Sequence, residues 1–152
     1  MGKPYGEEFE KDVNINRFEL EKEAERNPGL LRFYGELLAD ARSQKDAIAK
    51  KIKLVSAQKL LFYGANPLPG TKTTEPAIKA MVDSDAELNV LFEKELEIKE
   101  KVYYLESAVA TIDDRKTEIG NLTKLWLGGY YSVQGQSTNG ISEQMRKDLL
   151  GG

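Results

Sequence analysis

Between Ser84 and Leu127 an apolar residue returns at every seventh position: Leu91, Ile98, Leu105, Ile112, Ile119 and Trp126. On a strand a period of seven would throw these side chains alternately to opposite faces, whereas on a helix they form one continuous stripe. Three residues before each stand Leu88, Glu95, Val102, Val109, Lys116 and Thr123. Only three of these are apolar, and charge at such a seam is the device that sets register or oligomer state. Ser84 followed by Glu87 reads as a capping box, so a helix is predicted over about 85–127, roughly 60 Å long. A small domain cannot hide a stripe of that length by itself. It must fold back on a second helix, meet other chains, or both. The expected fold is therefore all-α, a long helical hairpin with short flanking helices that assembles into an oligomer. The six heptad residues are the expected oligomerisation contacts.

The other elements follow from caps and breakers. Asn16 can cap a short helix ending near Arg26, and Asn27-Pro28 supplies a cap and a first-turn proline for the next, giving helices over about 16–26 and 28–63. From Leu30 to Phe62 the apolar residues follow three-and-four spacing, so this second long helix has one sticky face. Gly64 to Thr74 (GANPLPGTKTT) is a turn, a short helix over 76–82 follows, and Gly128-Gly129 ends the last long helix. These elements compose one domain, 1–132. Residues 133–152 are expected to be a flexible tail in which Ser142 caps a short amphipathic helix, 142–150.

Composition removes most catalytic chemistry. The 152 residues include no cysteine and no histidine, so thiolate nucleophiles, imidazole bases, disulfides and zinc-finger sites are excluded. The loop from Gly64 to Thr73 superficially resembles a phosphate-binding loop. Its glycines are one residue too far apart, Thr71 separates Gly70 from Lys72, and it follows a helix where the mechanism needs a strand. Asp83, Asp85, Glu87 and the pair Asp113-Asp114 are ordinary helix-start and solvated-face charges. No enzyme activity, metal or cofactor is expected. The N-terminus lacks the apolar run of a signal peptide and no stretch is long and apolar enough for a membrane helix, so a soluble intracellular protein without a membrane partner is expected.

The net charge of −3 conceals a segment of opposite sign. Residues 1–40 carry six basic and ten acidic side chains; residues 41–60 carry Arg42, Lys45, Lys50, Lys51, Lys53 and Lys59 against Asp46 alone; the remainder carries ten against fourteen. The basic segment runs into Leu60, Leu61, Phe62 and Tyr63. Cations that neutralise phosphates beside aromatics that stack on bases are what single-stranded nucleic acid requires. A lysine-rich solvated face with core aromatics is the alternative, and it leads to a helical scaffold or assembly protein with no nucleic-acid role. The expected DNA-binding set is Lys53 and Lys59 first, supported by Arg42, Lys45, Lys50 and Lys51, with Tyr63 beside them. In WLGGYYS, Trp126 belongs to the seam and Tyr130 and Tyr131 are expected to pack.

Lys11-Asp12-Val13, Ile15, Leu20, Glu23-Ala24, Asn27 and Tyr34 stand in an order and spacing that continue through Phe62-Tyr63-Gly64, Ile78-Lys79, Val82, Ser84-Asp85, Ala110, Ile112 and Arg115. Over about residues 9–127 the chain thereby resembles the phage recombination mediator proteins of the UvsY type. The resemblance implies a helical protein forming a ring-like homo-oligomer, a heptamer in the type member. Such a protein binds single-stranded DNA in the cytoplasm of a bacterial host and helps load a recombinase onto strands occupied by single-strand-binding protein. Of the family's two DNA-contacting basic positions one falls on Lys59; the other holds Ala57, with Lys53 as its substitute.

Overall fold

The computed structural model describes residues 6–70 and 72–129. They form four helices, α1 (Gly6–Val13), α2 (Leu20–Ala65), α3 (Glu75–Asp83) and α4 (Ala86–Leu127), and no strand occurs among them. The fold is all-α, as the period of seven requires. Two compact units divide the chain, one made of Met1–Leu31 with Ala110–Gly152 and the other of Arg32–Val109. The expected tail helix 142–150, and Tyr130 and Tyr131, lie outside the described residues.

In the first unit, α1 and residues 20–31 of α2 gather around residues 110–127 of α4. Arg115 is the hub. Its guanidinium is buried and ion-paired with Glu23, donates from Nη1 to Asn27 Oδ1 at 3.0 Å, and reaches the carbonyls of Val13 at 3.3 Å and Asn14 at 3.0 Å. A planar fork with five donors can tie the end of α1 to both long helices in this way; an ammonium could not match that geometry. A second ion pair, Arg26 with Asp12, holds α1 on α2.

Two expectations fail in this unit. Asn27-Pro28 does not divide two helices, because α2 runs through it from Leu20 to Ala65. Proline lacks the N–H that would bond the Ala24 carbonyl and normally ends a helix. Here the turn is pinned from the side: Asn27 is buried, its Nδ2 donates to the Ile112 carbonyl at 3.2 Å, and its Oδ1 accepts from Arg115. Asn16 does not start α2 either. Its Oδ1 accepts the Phe18 N–H at 3.0 Å in a local turn, and the helix begins at Leu20. Helix α1 was not expected at all.

In the second unit, residues 32–65 of α2 run antiparallel to residues 86–109 of α4, as the cross-links Arg42–Glu106 and Lys59–Glu87 require. Ile52, Val55, Leu88 and Leu91 form a core closed by Ile48 and by Val82 from α3. Tyr34, Leu38, Ala41, Val102, Leu105 and Ala108 are buried as well. Gly70 (φ +83°) makes the turn between α2 and α3, a conformation that suits glycine. The cap of α4 is Asp85: its Oδ1 accepts the N–H groups of Glu87 at 3.0 Å and Leu88 at 3.2 Å. The expected Ser84 instead donates its hydroxyl back to Ala80 and Met81, finishing α3. The cap is thus displaced by one residue and is not a capping box, because Leu88, three residues on, has no polar side chain to answer the cap N–H; the Asp85 carboxylate caps instead with a full charge at the positive end of the helix dipole.

The heptad stripe is spent inside the chain. Leu91, Leu105, Ile112 and Ile119 are buried by their own polypeptide and Ile98 is half-buried. Trp126 leaves the series, being 59% exposed.

Candidate nucleic-acid interface

The basic segment lies wholly on α2 within the second unit. A helix advances 100° per residue, so six cations spread over 18 residues cannot all share one side. Lys45 and Lys59 fall on the flank of the packed face and are half-buried, while Arg42, Lys50, Lys51 and Lys53 are exposed. Arg42 Nη2 is bonded to Glu106 at 2.9 Å. Lys45, Lys50, Lys51 and Lys53 form no ion pair among the described residues.

Lys59 is in a different situation. Its ammonium contacts Glu87 at 3.0 Å and Asp85 at 3.3 Å. Hydrogen bonds to Glu87 and then to Asp85 raise its pKa above the ordinary lysine value. Tyr63 donates its hydroxyl to the same Asp85 at 2.6 Å. That bond is the main cause holding Asp85 below the usual carboxylate range, against the opposing effect of burial, and it raises the Tyr63 phenol. Two carboxylates around one ammonium leave the locality with a charge of −1, which repels a phosphate. Tyr63 is half-buried with its polar end committed to the α4 cap, so it is not presented for stacking. Phe62 is the exposed aromatic, edge-on to Tyr63 at 5.4 Å between ring centroids. Sequence reasoning missed both the cluster and Phe62's place, since the partners Asp85 and Glu87 are more than 20 residues away along the chain.

Of the four lysines of the segment that form no ion pair among the described residues, Lys45 is half-buried, and Lys50, Lys51 and Lys53 are exposed around the buried Ile52. Among the described residues no cluster of carboxylates is placed to hold a metal ion, and no helix is long and apolar enough to cross a membrane.

This defines a class: an all-helical protein of paired antiparallel helices, with a cationic stretch on one helix and its apolar seam turned inward. A comparison of the sequence with curated proteins finds no match. The family described as "Recombination, repair and ssDNA binding protein UvsY" matches residues 8–126, and the chain belongs to that family. The fold is similar to that of the bacteriophage T4 recombination mediator protein UvsY in two crystal lattices. One match has a TM-score of 0.72 at 16% identity and covers 84% of this chain and 97% of the other. The second has a TM-score of 0.70 at 18% identity, covering 82% and 98%.

Proposed function

We propose that the chain is a non-enzymatic, oligomeric recombination mediator that binds single-stranded DNA and helps load a recombinase onto strands covered by single-strand-binding protein. The observation that carries the reading is the free cationic stretch Lys50, Lys51 and Lys53 in a member of a family of single-stranded-DNA-binding proteins. Each lysine that meets a phosphate releases condensed counterions and contributes a salt-dependent, base-independent term to affinity. Lys50 and Lys53 are three residues apart and therefore neighbours on the helix, and Lys51 shares a side with Phe62. Lys59, with its two carboxylates, contributes only when a phosphate displaces them.

Assembly multiplies such weak contacts, because one strand engages several subunits at a high effective concentration. The apolar surface left for other copies differs from the heptad stripe. Among the exposed apolar residues, Leu54 and Leu61 share one side of α2, and Phe92, Leu96 and Tyr103 share one side of α4. A ring-like homo-oligomer formed through these residues, of seven subunits by resemblance to the family, would repeat the lysine stretch around a common axis. A recombinase could then nucleate on the strand so held while the competing binding protein is displaced.

The test is a fluorescence-anisotropy titration with oligo-dT at two salt concentrations, comparing the wild type with a Lys50→Ala, Lys51→Ala, Lys53→Ala variant. The expected result is weaker binding at low salt and a log–log salt slope shallower by about 0.7 for each lysine that met a phosphate, with helicity unchanged. Equal affinity and slope would move the DNA site elsewhere, and no binding by the wild type would remove the nucleic-acid role.

A further inference from the structure

Two carboxylates hold the Lys59 ammonium, and they are not equivalent. Asp85 is buried and committed at both oxygens: Oδ1 accepts the N–H groups of Glu87 and Leu88, and Oδ2 accepts the Tyr63 hydroxyl besides contacting Lys59 at 3.3 Å. Moving it would undo the cap of α4. The Glu87 side chain is 60% exposed, and among the described residues its carboxylate has a single cationic partner, Lys59 Nζ at 3.0 Å. It stands in the first turn of α4, where the positive end of the helix dipole favours a carboxylate whether or not a lysine is bound to it. Letting go of Lys59 therefore costs Glu87 little.

We propose that Glu87 is a gate on Lys59: its carboxylate occupies the lysine as an internal stand-in for phosphate, and a single strand of DNA displaces it. The gate rests on the DNA binding proposed above and adds a regulated contact to it. Lys51 and Lys59 are eight residues apart, about 12 Å along α2 and about 80° around it. A strand seated on Lys51 thus brings its neighbouring phosphates to Lys59 at a high effective concentration. A free phosphate ion lacks that advantage and meets a carboxylate already in place. The exchange also shapes the salt response. When a phosphate takes Lys59, Glu87 is left to gather a cation of its own, so the swap releases no net counterion and adds nothing to the salt slope. With the Glu87 charge removed, the same contact neutralises a phosphate without that compensation, and the slope steepens.

Anisotropy titrations with oligo-dT at two salt concentrations test the gate on four full-length chains: wild type, Glu87→Gln, Lys59→Met and the two changes combined. Glu87→Gln alters an exposed side chain and leaves Asp85 in place, so helicity should be unchanged. It should bind tighter at low salt by about two- to fivefold, the worth of one exposed ion pair, with a log–log slope steeper by about 0.7. In the Lys59→Met background the same substitution should alter neither affinity nor slope. An equal gain in both backgrounds would mean that the carboxylate acts through its field on the whole lysine stretch, and overturns the gate. No gain in either background overturns it as well. If the wild type binds and the Lys50→Ala, Lys51→Ala, Lys53→Ala variant is weaker while Glu87→Gln matches the wild type, the gate alone falls. Failure of the wild type and Glu87→Gln alike to bind removes the DNA-binding reading with it.

Discussion

Tyr63 and Asp85, 22 residues apart, meet through a 2.6 Å hydrogen bond that joins the last turn of α2 to the cap of α4. The sign of its pH dependence follows from the three groups involved. Asp85 is held below its ordinary value, so its contribution is present above the carboxylate range and lost as pH falls through the lowered value. Tyr63 and Lys59 are raised, so theirs is complete below their ordinary values and lost as pH rises through the raised ones. Tyr63→Phe should therefore lower the melting temperature most between roughly pH 5 and 9, and the gap from wild type should close at both extremes. Thermal melts at a series of pH values check this; a gap independent of pH would refute it. Absorbance titration should also show one tyrosine in the wild type ionising above the rest and absent from the variant.

Lys59 separates stability from DNA binding. Its replacement by Met leaves Asp85 and Glu87 unpaired, so the expected outcome is a lower melting temperature with a small change in salt slope. The triple lysine variant should show the reverse. Both are read from parallel melts and oligo-dT titrations.

Removing one partner of a buried ion pair strands the other. Arg115→Met should destabilise by about 3–5 kcal/mol, since Asn27 Oδ1 and the Val13 and Asn14 carbonyls lose this donor and Glu23 keeps only the Asn16 N–H and a 3.9 Å contact with Arg26. Urea unfolding measures it. A cost under about 1 kcal/mol would show that the hub is not structural.

The two apolar faces of α4 should respond differently. Leu105, fully buried, should cost about 2–5 kcal/mol on replacement by Ala. Tyr103→Ser together with Leu96→Ser, on exposed positions, should leave helicity intact while lowering the assembly mass seen by light scattering. Full-size assemblies in that double variant would place the contacts between copies elsewhere.

Pro28→Ala supplies the N–H missing from the interior of α2. It should stabilise the first unit, by up to about 3 kcal/mol if the turn is otherwise unstrained. Denaturant unfolding that shows a loss instead would mean that the proline ring is part of the packing.

The residues that carried the family resemblance explain what was legible. Glu23, Asn27, Tyr34, Asp85, Ile112 and Arg115 are all buried, so the likeness was written in the scaffold. The helical class, the position of α3 and the glycine stop at the end of α4 were likewise visible, because period, turn residues and caps act between neighbours along the chain. What only the tertiary structure decided depends on residues far apart in sequence. It ran α2 through Pro28 by clamping Asn27 from α4. It turned the heptad stripe inward against the chain's own helix. It gave Lys59 and Tyr63 to Asp85 and Arg42 to Glu106, leaving Lys50, Lys51 and Lys53 as the exposed cations of the segment without an ion pair among the described residues. A run of lysines has the same sequence whether its charges are solvated or paired, and only the packing of α2 against α4 brings carboxylates to some of them and not to others.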